Sequence, residues 1–370
     1  MRILISINTA WNVYNFRTGL IKHLIGLGYE IHIAAPRDDY VGRLEALGCI
    51  FHALDMNNKG TSPREDFDLY CQYVALMTAI KPDVFIGYTI KPNVYGNFAA
   101  HKLRISTINN ISGLGTAFIR KTWVTYVVKA LYKASLKKAS TVFFQNDDDC
   151  NLFKKAGLVR PESTEVLPGS GINLDTFKAR DQVSNSPPKF LLIARLLRDK
   201  GVGEYVEAAR HLRERGVNAH LQILGFLDVA NQTAVTQDEV DLWVKEGLIE
   251  YLGTSDDVRP FIKSADCIVL PSYREGTPRT LLEAAAMARP IIATNVPGCK
   301  EVVIDAETGY LCEVRNGEDL SRKMEQFCML SSDAKKTMGQ KSRALAERKF
   351  DEKIVIQAYE NAIARAGNTT

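Results

Sequence analysis

Four residues are placed for ligand chemistry: Arg195, Lys200, Glu275 and Glu283. The segment Ala194-Arg195-Leu196-Leu197-Arg198-Asp199-Lys200-Gly201 leaves an apolar run and leads into a helical pattern. Two cations at one strand-to-helix junction suit a diphosphate, because each charge-assisted hydrogen bond contributes roughly 1.5–3 kcal/mol. The bland reading of the same loop is a solvated basic turn. Glu275 falls in a loop and Glu283 in the helix after it. They are not an i,i+4 pair, so they need not share a role. Each suits accepting hydrogen bonds from hydroxyls of a ligand held over the helix start. The bland alternative is an incidental surface acid and a helical salt-bridge partner.

The elements that must position these groups can be read around them. Cys267–Leu270 is an apolar run that fits a buried parallel strand, and Pro271–Thr277 is a loop. Thr277 is expected to cap the following helix, with Pro278 in its first turn, where no amide hydrogen is needed. Leu281, Leu282, Ala285, Ala286 and Ala288 carry the helix to a stop at Pro290. In a parallel sheet, ligands sit at the carboxyl ends of strands, where helix N-termini aim amides at anions.

The whole chain follows the same alternation. In the first half, strands are expected at Ile3–Ile7, Ile31–Ala35, Cys49–Leu54, Val84–Gly87, Ile105–Ile108 and Thr141–Phe144. Between them come helical patterns, the first at Phe16–Gly28 and the last at Trp123–Ala139. Leu167-Pro168-Gly169-Ser170-Gly171 and the polar stretch Asp181–Pro188 punctuate the chain, and the alternation restarts at Lys189. The fold class is therefore α/β, with two doubly wound parallel sheets in Rossmann-like halves. Expected domains are 1–169 with the final helix (352–370), and 170–351. At 370 residues the chain exceeds the usual single-core size, and its 46% apolar and 24% charged content is ordinary for a globular protein.

Several function classes are disfavoured. A net charge of +4 is too small to argue for nucleic acid, and no recognition motif supports it. The 7 cysteines form no CxxC pair, and the 6 histidines show no metal-ligand spacing, which suggests reduced thiols and no zinc site. Neither a run of 18 apolar residues nor a convincing signal peptide is expected. No G-x-G-x-x-G follows the first strand, which argues against a dehydrogenase. Asn12, Asn15 and Arg17 are candidates there by position, as are Lys91 and Asn93 in a later strand-end loop. Asp147-Asp148-Asp149 reads as acids favoured by the dipole of the helix they precede, not as a metal site. Arg279 is an oddity, since a cation in a first helical turn opposes that dipole. It is either simply exposed or meets an anionic group on a ligand. From Val84 to Asn146 there is no acid, while Lys91, Lys102, Arg104, Arg120, Lys121, Lys129, Lys133, Lys137 and Lys138 are interleaved with Phe118, Trp123, Tyr126, Val127, Val128 and Leu131. A basic, aromatic-bearing helix suits an anionic membrane surface; otherwise its apolar face is core and its lysines a solvated rim.

Glu-Gly-x-Pro-x-x-x-x-Glu (Glu275 to Glu283) after a strand, together with Arg-x-x-x-x-Lys-Gly (Arg195 to Gly201), resembles the signature of family 4 retaining glycosyltransferases. The resemblance implies a GT-B architecture of two facing Rossmann-like domains, an N-terminal acceptor-side domain and a C-terminal nucleotide-sugar-binding domain. It implies that Arg195 and Lys200 hold the donor pyrophosphate and act in catalysis with Glu275, which contacts donor-sugar hydroxyls. Glu283 would accept the ribose hydroxyls, the backbone of Gly276, Thr277 and Pro278 would lie along the sugar, and Arg279 joins the donor side. Two departures stand out. Paired glycines after the first strand are absent, leaving Asn12, Arg17 and Lys91 for the acceptor side, and a first-domain His is absent, with Asn110 its nearest substitute. The family implies a UDP-linked donor, UDP-HexNAc or UDP-hexose, with no metal or cofactor. It also implies front-face substitution without a secure general base. The chain is most similar to bacterial transferases that extend undecaprenyl-diphosphate-linked saccharides. The partners expected are the donor, the lipid-linked acceptor and, through residues 84–146, the inner face of the cytoplasmic membrane. The alternatives are a non-hydrolysing UDP-sugar 2-epimerase, which would convert donor without acceptor, and a non-catalytic nucleotide-sugar-binding or membrane-docking protein.

Overall fold

A computed structural model describes residues 1–57, 60, 62–113, 123–181, 185–227, 231 and 233–367. The chain divides into two compact units, Met1–Ser170 with Glu352–Thr370, and Gly171–Asp351.

In the first unit the strands are β1 (Arg2–Ser6), β2 (Glu30–Ala35), β3 (Ile50–Ala53), β4 (Val84–Tyr88), β5 (Ser106–Ile111), β6 (Thr141–Phe144) and β7 (Thr164–Val166). All pair in parallel, in the order β3-β2-β1-β4-β5-β6-β7. β1, β2, β4 and β6 are buried on both faces and read as apolar runs, which is why the sequence reveals them. The helix Glu352–Gly367 packs onto this unit, setting Val355, Tyr359, Ala362, Ile363 and Ala366 among Ile3, Ile5, Val84, Ile86 and Ile108.

Two sequence readings in this unit are corrected. The first helix starts at Ala10, not Phe16, because Thr9 is extended and its side chain accepts the Asn12 amide at 3.1 Å. Its buried face runs Ala10, Val13, Arg17, Leu20, Ile21, Leu24. A buried arginine in a core position hides the first two turns of that period. β5 continues through Asn109 and Asn110 to Ile111, so these asparagines lie inside a strand. Both are fully buried, and hydrogen bonds among Asn93, Asn97 and Asn109 satisfy amides that otherwise look like loop residues.

The second unit carries β8 (Lys189–Ile193), β9 (His220–Leu224), β10 (Glu250–Tyr251), β11 (Cys267–Leu270), β12 (Ile291–Thr294) and β13 (Gly309–Cys312). They too are parallel, in the order β10-β9-β8-β11-β12-β13. The order reverses between β8 and β11, which makes their carboxyl ends a topological switch point, where such sheets open a crevice for ligands. Strands β7 and β13, each short, and the helix Ser332–Leu345 have no counterpart in the sequence reading.

One buried cation holds this unit's far side together. Arg289 is 0% exposed and donates to the carbonyls of Ile262 (3.1 Å), Lys263 (3.0 Å), Met287 (3.3 Å), Arg180 (3.0 Å) and Asp181 (3.1 Å). It thereby serves the carboxyl ends of the helices Arg259–Ser264 and Arg279–Ala286, where orphan carbonyls carry partial negative charge. Burial pushes its pKa down, opposed by Asp266 and Asp181. Replacing this fork by Arg289→Met strands several buried carbonyls at once. It should destabilise the Gly171–Asp351 unit by about 3–5 kcal/mol. The check is the denaturant midpoint of that unit's unfolding, and an unchanged midpoint would refute the role.

Candidate active site

The β8 loop and the β11 loop are locked to each other across the switch point. After β8, Leu196 and Leu197 are buried anchors, and Arg198–Lys200 forms one tight turn. Gly201 follows at φ +75°, and a Cβ there would lie 2.0 Å from the Pro271 carbonyl oxygen, so only glycine lets the two loops approach. The Asp199 carbonyl accepts from the Ser272 hydroxyl (3.1 Å) and the Tyr273 amide (2.9 Å). Tyr273 in turn donates to Glu204 (2.6 Å) under the Arg315 guanidinium, 4.6 Å from the ring centroid. The β11 loop is held from its other side as well. The Glu275 amide donates to the Pro297 carbonyl (3.1 Å), and Gly298, at φ +89°, lies where a Cβ would come within 2.5 Å of the Glu275 carbonyl oxygen. The Gly298 amide is fixed by Glu301 (2.7 Å).

This scaffold brings the motif residues together in two acid–base pairs. Lys200 and Glu275 form an ion pair with side chains only 21% and 13% exposed. Such a half-buried pair adds little net stability, because desolvation offsets attraction, but removing either partner leaves the other uncompensated. Arg279 donates from Nε to Glu283 Oε1 (3.2 Å) and from Nη1 to the Gly171 carbonyl (2.8 Å). Glu283 is 8% exposed, and burial raises its pKa, opposed by Arg279 and reinforced by Asp257. Arg195 is exposed at the mouth of the β8 loop, with no ion-pair partner among the described residues. Gly276 and Pro278 are buried and Thr277 half-buried beside Glu275. The Cys299 thiol behind Glu275 is pushed well up by burial, which keeps it protonated and unsuited to nucleophilic attack.

The expected helix start is corrected. Pro278, not Thr277, stands at the N-cap, extended at ψ 122° and without a side-chain cap bond. Its carbonyl closes the first turn by accepting from Leu281 (3.1 Å) and Leu282 (3.3 Å). The helix spans Arg279–Ala286 and stops short of Ala288, which turns left-handed at φ +58°.

In the first unit Asn93 and Asn110 are bonded to each other and Arg17 is linked to them through Tyr88 and Tyr359, while Asn15 and Lys91 have other partners. Asn12 is half-buried in the first turn of its helix and Asn15 donates to the Trp11 carbonyl (2.9 Å). Arg17 is 5% exposed, stacked 4.5 Å from the Tyr88 ring centroid, and its Nε has no hydrogen-bond partner. Lys91 is paired with Asp66 (2.7 Å), which also accepts from Tyr95 (2.7 Å). Asn93 donates to the Asn110 carbonyl (2.9 Å), and the Asn110 side chain is engaged by Tyr359 (2.9 Å) and Ser112 (2.9 Å). The acidic triplet forms the first turn of the helix Asp147–Lys155, with Asn146 capping Asp149 (2.8 Å). Among the described residues no group of three or more His, Cys, Asp or Glu is arranged to hold a metal, and no helix is long and apolar enough to cross a membrane.

The helix Trp123–Leu136 divides its faces. Tyr132 and Leu136 are core, packed with Phe144 and Phe153, while Tyr126 is 70% and Val127 46% exposed. Lys133, Lys137 and Lys138 are exposed at or just beyond its end. Phe118, Arg120, Lys121 and the Trp123 side chain lie outside the described residues.

Sequence reasoning missed Tyr273, Gly298, Glu301 and Arg315. Only the Pro297-Gly298 turn signal after β12 pointed at any of them.

Known proteins match this chain in sequence and in fold. A family model described as Glycosyl transferase 4-like matches residues 2–146, and one described as Glycosyl transferases group 1 matches residues 175–345. The chain belongs to the family 4 glycosyltransferases. This glycosyltransferase is 27% identical to the N,N'-diacetylbacillosaminyl-diphospho-undecaprenol alpha-1,3-N-acetylgalactosaminyltransferase of Campylobacter jejuni, over 97% of each chain. It is 24% identical to the UDP-Gal:alpha-D-GlcNAc-diphosphoundecaprenol alpha-1,3-galactosyltransferase of Escherichia coli, over 65% of each. Its fold is GT-B. HepE of Anabaena, solved in complex with UDP and glucose, superposes with a TM-score of 0.79 at 18% identity, covering 98% of this chain and 99% of its own.

The two-loop lock in the transferase has a direct test. Gly201→Ala should lower stability by about 2 kcal/mol or more, through both its left-handed φ and the Pro271 clash. Gly203→Ala, with nothing within 4 Å of its Cβ, should be neutral or stabilising. Equal melting temperatures for the two variants would refute the close approach.

Proposed function

We propose that this transferase moves a hexose or N-acetylhexosamine from a UDP-sugar to an undecaprenyl-diphosphate-linked saccharide, with retention of anomeric configuration. The observation that carries this reading is the Lys200–Glu275 ion pair at the β8/β11 switch point. It sets a diphosphate-binding cation against a hydroxyl-binding carboxylate, as a sugar diphosphate requires. The Gly171–Asp351 unit is then the donor side and the remaining unit the acceptor side. Support for the substrates comes from the relatives, whose names specify diphospho-undecaprenol acceptors and, in one, UDP-Gal.

In this reading Arg195 and Lys200 stabilise the negative charge that develops on the departing UDP as the C1–oxygen bond breaks. Glu275 orients the donor sugar through its hydroxyls, along the backbone of Gly276, Thr277 and Pro278, and Glu283 accepts the ribose hydroxyls. The acceptor hydroxyl attacks C1 on the face from which UDP leaves and passes its proton to a phosphate oxygen. Protein cations supply the positive charge, so no metal or cofactor is assigned. Asn12, Arg17, Lys91 and Asn110 belong to the acceptor-side unit, where Arg17 and Asn110 act by holding the scaffold. The exposed Tyr126 and Val127, with Lys133, Lys137 and Lys138, dock the enzyme on the anionic inner face of the cytoplasmic membrane, each cation contributing about 1 kcal/mol.

One assay tests the whole reading. UDP release is measured from UDP-GalNAc, UDP-GlcNAc, UDP-Gal and UDP-Glc, with and without an undecaprenyl-diphosphate saccharide in phosphatidylglycerol or phosphatidylcholine vesicles. Acceptor-dependent release is expected, faster on the anionic vesicles, and lowered about 100-fold or more in Lys200→Ala. Reversing the charges of Lys133, Lys137 and Lys138 should remove the preference for anionic vesicles. UDP-sugar interconversion without acceptor would replace the transferase reading with an epimerase.

A further inference from the structure

Arg279 occupies a position that local physics disfavours. It is the first residue of the helix Arg279–Ala286, whose first turn holds no acid, and a cation there opposes the helix dipole. Yet it is not a loose surface arginine. Its side chain is 19% exposed and is held by Glu283 (3.2 Å), by the Gly171 carbonyl (2.8 Å) and against the Phe177 ring, 5.8 Å from the centroid. A residue kept against a local cost and fixed this firmly has a partner that needs it.

Glu283 is that partner. Its side chain is 11% exposed, and Oε2 accepts no hydrogen bond among the described residues. The charged groups facing it are Arg279 on its own helix and Asp257 from the loop before the helix Arg259–Ser264. Asp257 is itself bound by Arg259 (2.7 and 2.8 Å), yet still disfavours a second negative charge nearby. Burial and Asp257 both favour the protonated acid, and Arg279 is the cation that favours the carboxylate. The distinction matters for recognition. A carboxylate accepts from two vicinal hydroxyls, whereas a protonated acid donates through one oxygen and loses that match.

We infer that Arg279 is a positioning residue for Glu283: through its Gly171 and Glu283 contacts it fixes the carboxylate's aim, so that nucleoside ribose recognition depends on an arginine that acts through the glutamate. The inference rests on the reading that Glu283 accepts ribose hydroxyls.

The test is calorimetric binding of UDP and of 2′,3′-dideoxyuridine 5′-diphosphate from pH 6 to pH 8. Wild type should prefer UDP by about tenfold or more, the factor for losing one good hydrogen bond, with a nearly flat pH profile. Arg279→Met removes the cation, so the Glu283 pKa rises further. UDP affinity should then fall as the pH is lowered and the acid protonates, and the preference over the dideoxy analogue should fall with it. Arg279→Lys keeps the charge and should restore the flat profile at intermediate affinity, which a purely structural role of Arg279 would not produce. Glu283→Gln should show no preference at any pH. If Arg279→Met fails to fold without the Gly171 contact, Arg279→Gln keeps a donor for that carbonyl without the charge, and the same outcomes apply. An Arg279→Met or Arg279→Gln enzyme with the wild-type preference and profile overturns the positioning role. A wild type that binds both nucleotides equally overturns the ribose reading, and the inference with it.

Discussion

The Lys200–Glu275 ion pair is the constraint around which the second unit is built. It joins the loops after β8 and β11, neighbouring strands that are distant in sequence, at the point where the strand order reverses. Every contact near it narrows the gap the pair must span. Gly201 admits the Pro271 carbonyl, Asp199 offers its own carbonyl to Ser272 and Tyr273, and Gly298 admits Glu275. The pair is costly to hold half-buried, so its worth lies in aim rather than stability. A cation and a carboxylate held in contact before a ligand arrives are preorganised, which lowers the reorganisation a charged substrate would otherwise demand.

The same logic recurs wherever this chain buries polarity. Arg289 converts the loose ends of two helices and the segment near Arg180 into one rigid corner. Asn93, Asn97 and Asn109 satisfy one another inside the first sheet's flank, and Asn110 closes onto Tyr359 of the final helix. These groups cost free energy unless every donor and acceptor is met, and here nearly all are. The first unit's Arg17 differs, with a buried Nε lacking a partner above the Tyr88 ring.

What the sequence reveals follows from this division between apolar pattern and buried polarity. Most strands of both sheets are legible because burial on two faces leaves runs such as Ile-Val-Leu, whereas the short β7 and β13 are not; the four motif residues are legible because their spacing sets charge at strand ends. Arg17, Asn109 and Asn110 are illegible because a polar side chain in a core position interrupts the period that defines an element. The true start of the helix at Arg279 is hidden because proline suits both an N-cap and a first turn, and only its ψ decides. The Arg279–Glu283 pair was visible in principle as an i,i+4 spacing, but nothing in the sequence shows that Glu283 is buried. Tyr273, Gly298 and Arg315 matter through tertiary contacts alone.

The central claim is that the β8 and β11 loops act as one donor site through Lys200 and Glu275. A double-mutant cycle on UDP-sugar affinity, using Lys200→Met, Glu275→Gln and the double variant in titration calorimetry, tests it most directly. The account predicts strong coupling, about 1–3 kcal/mol, with the double variant little worse than the weaker single one. Losses that simply add would mean that the two residues meet the ligand independently, and would contradict it.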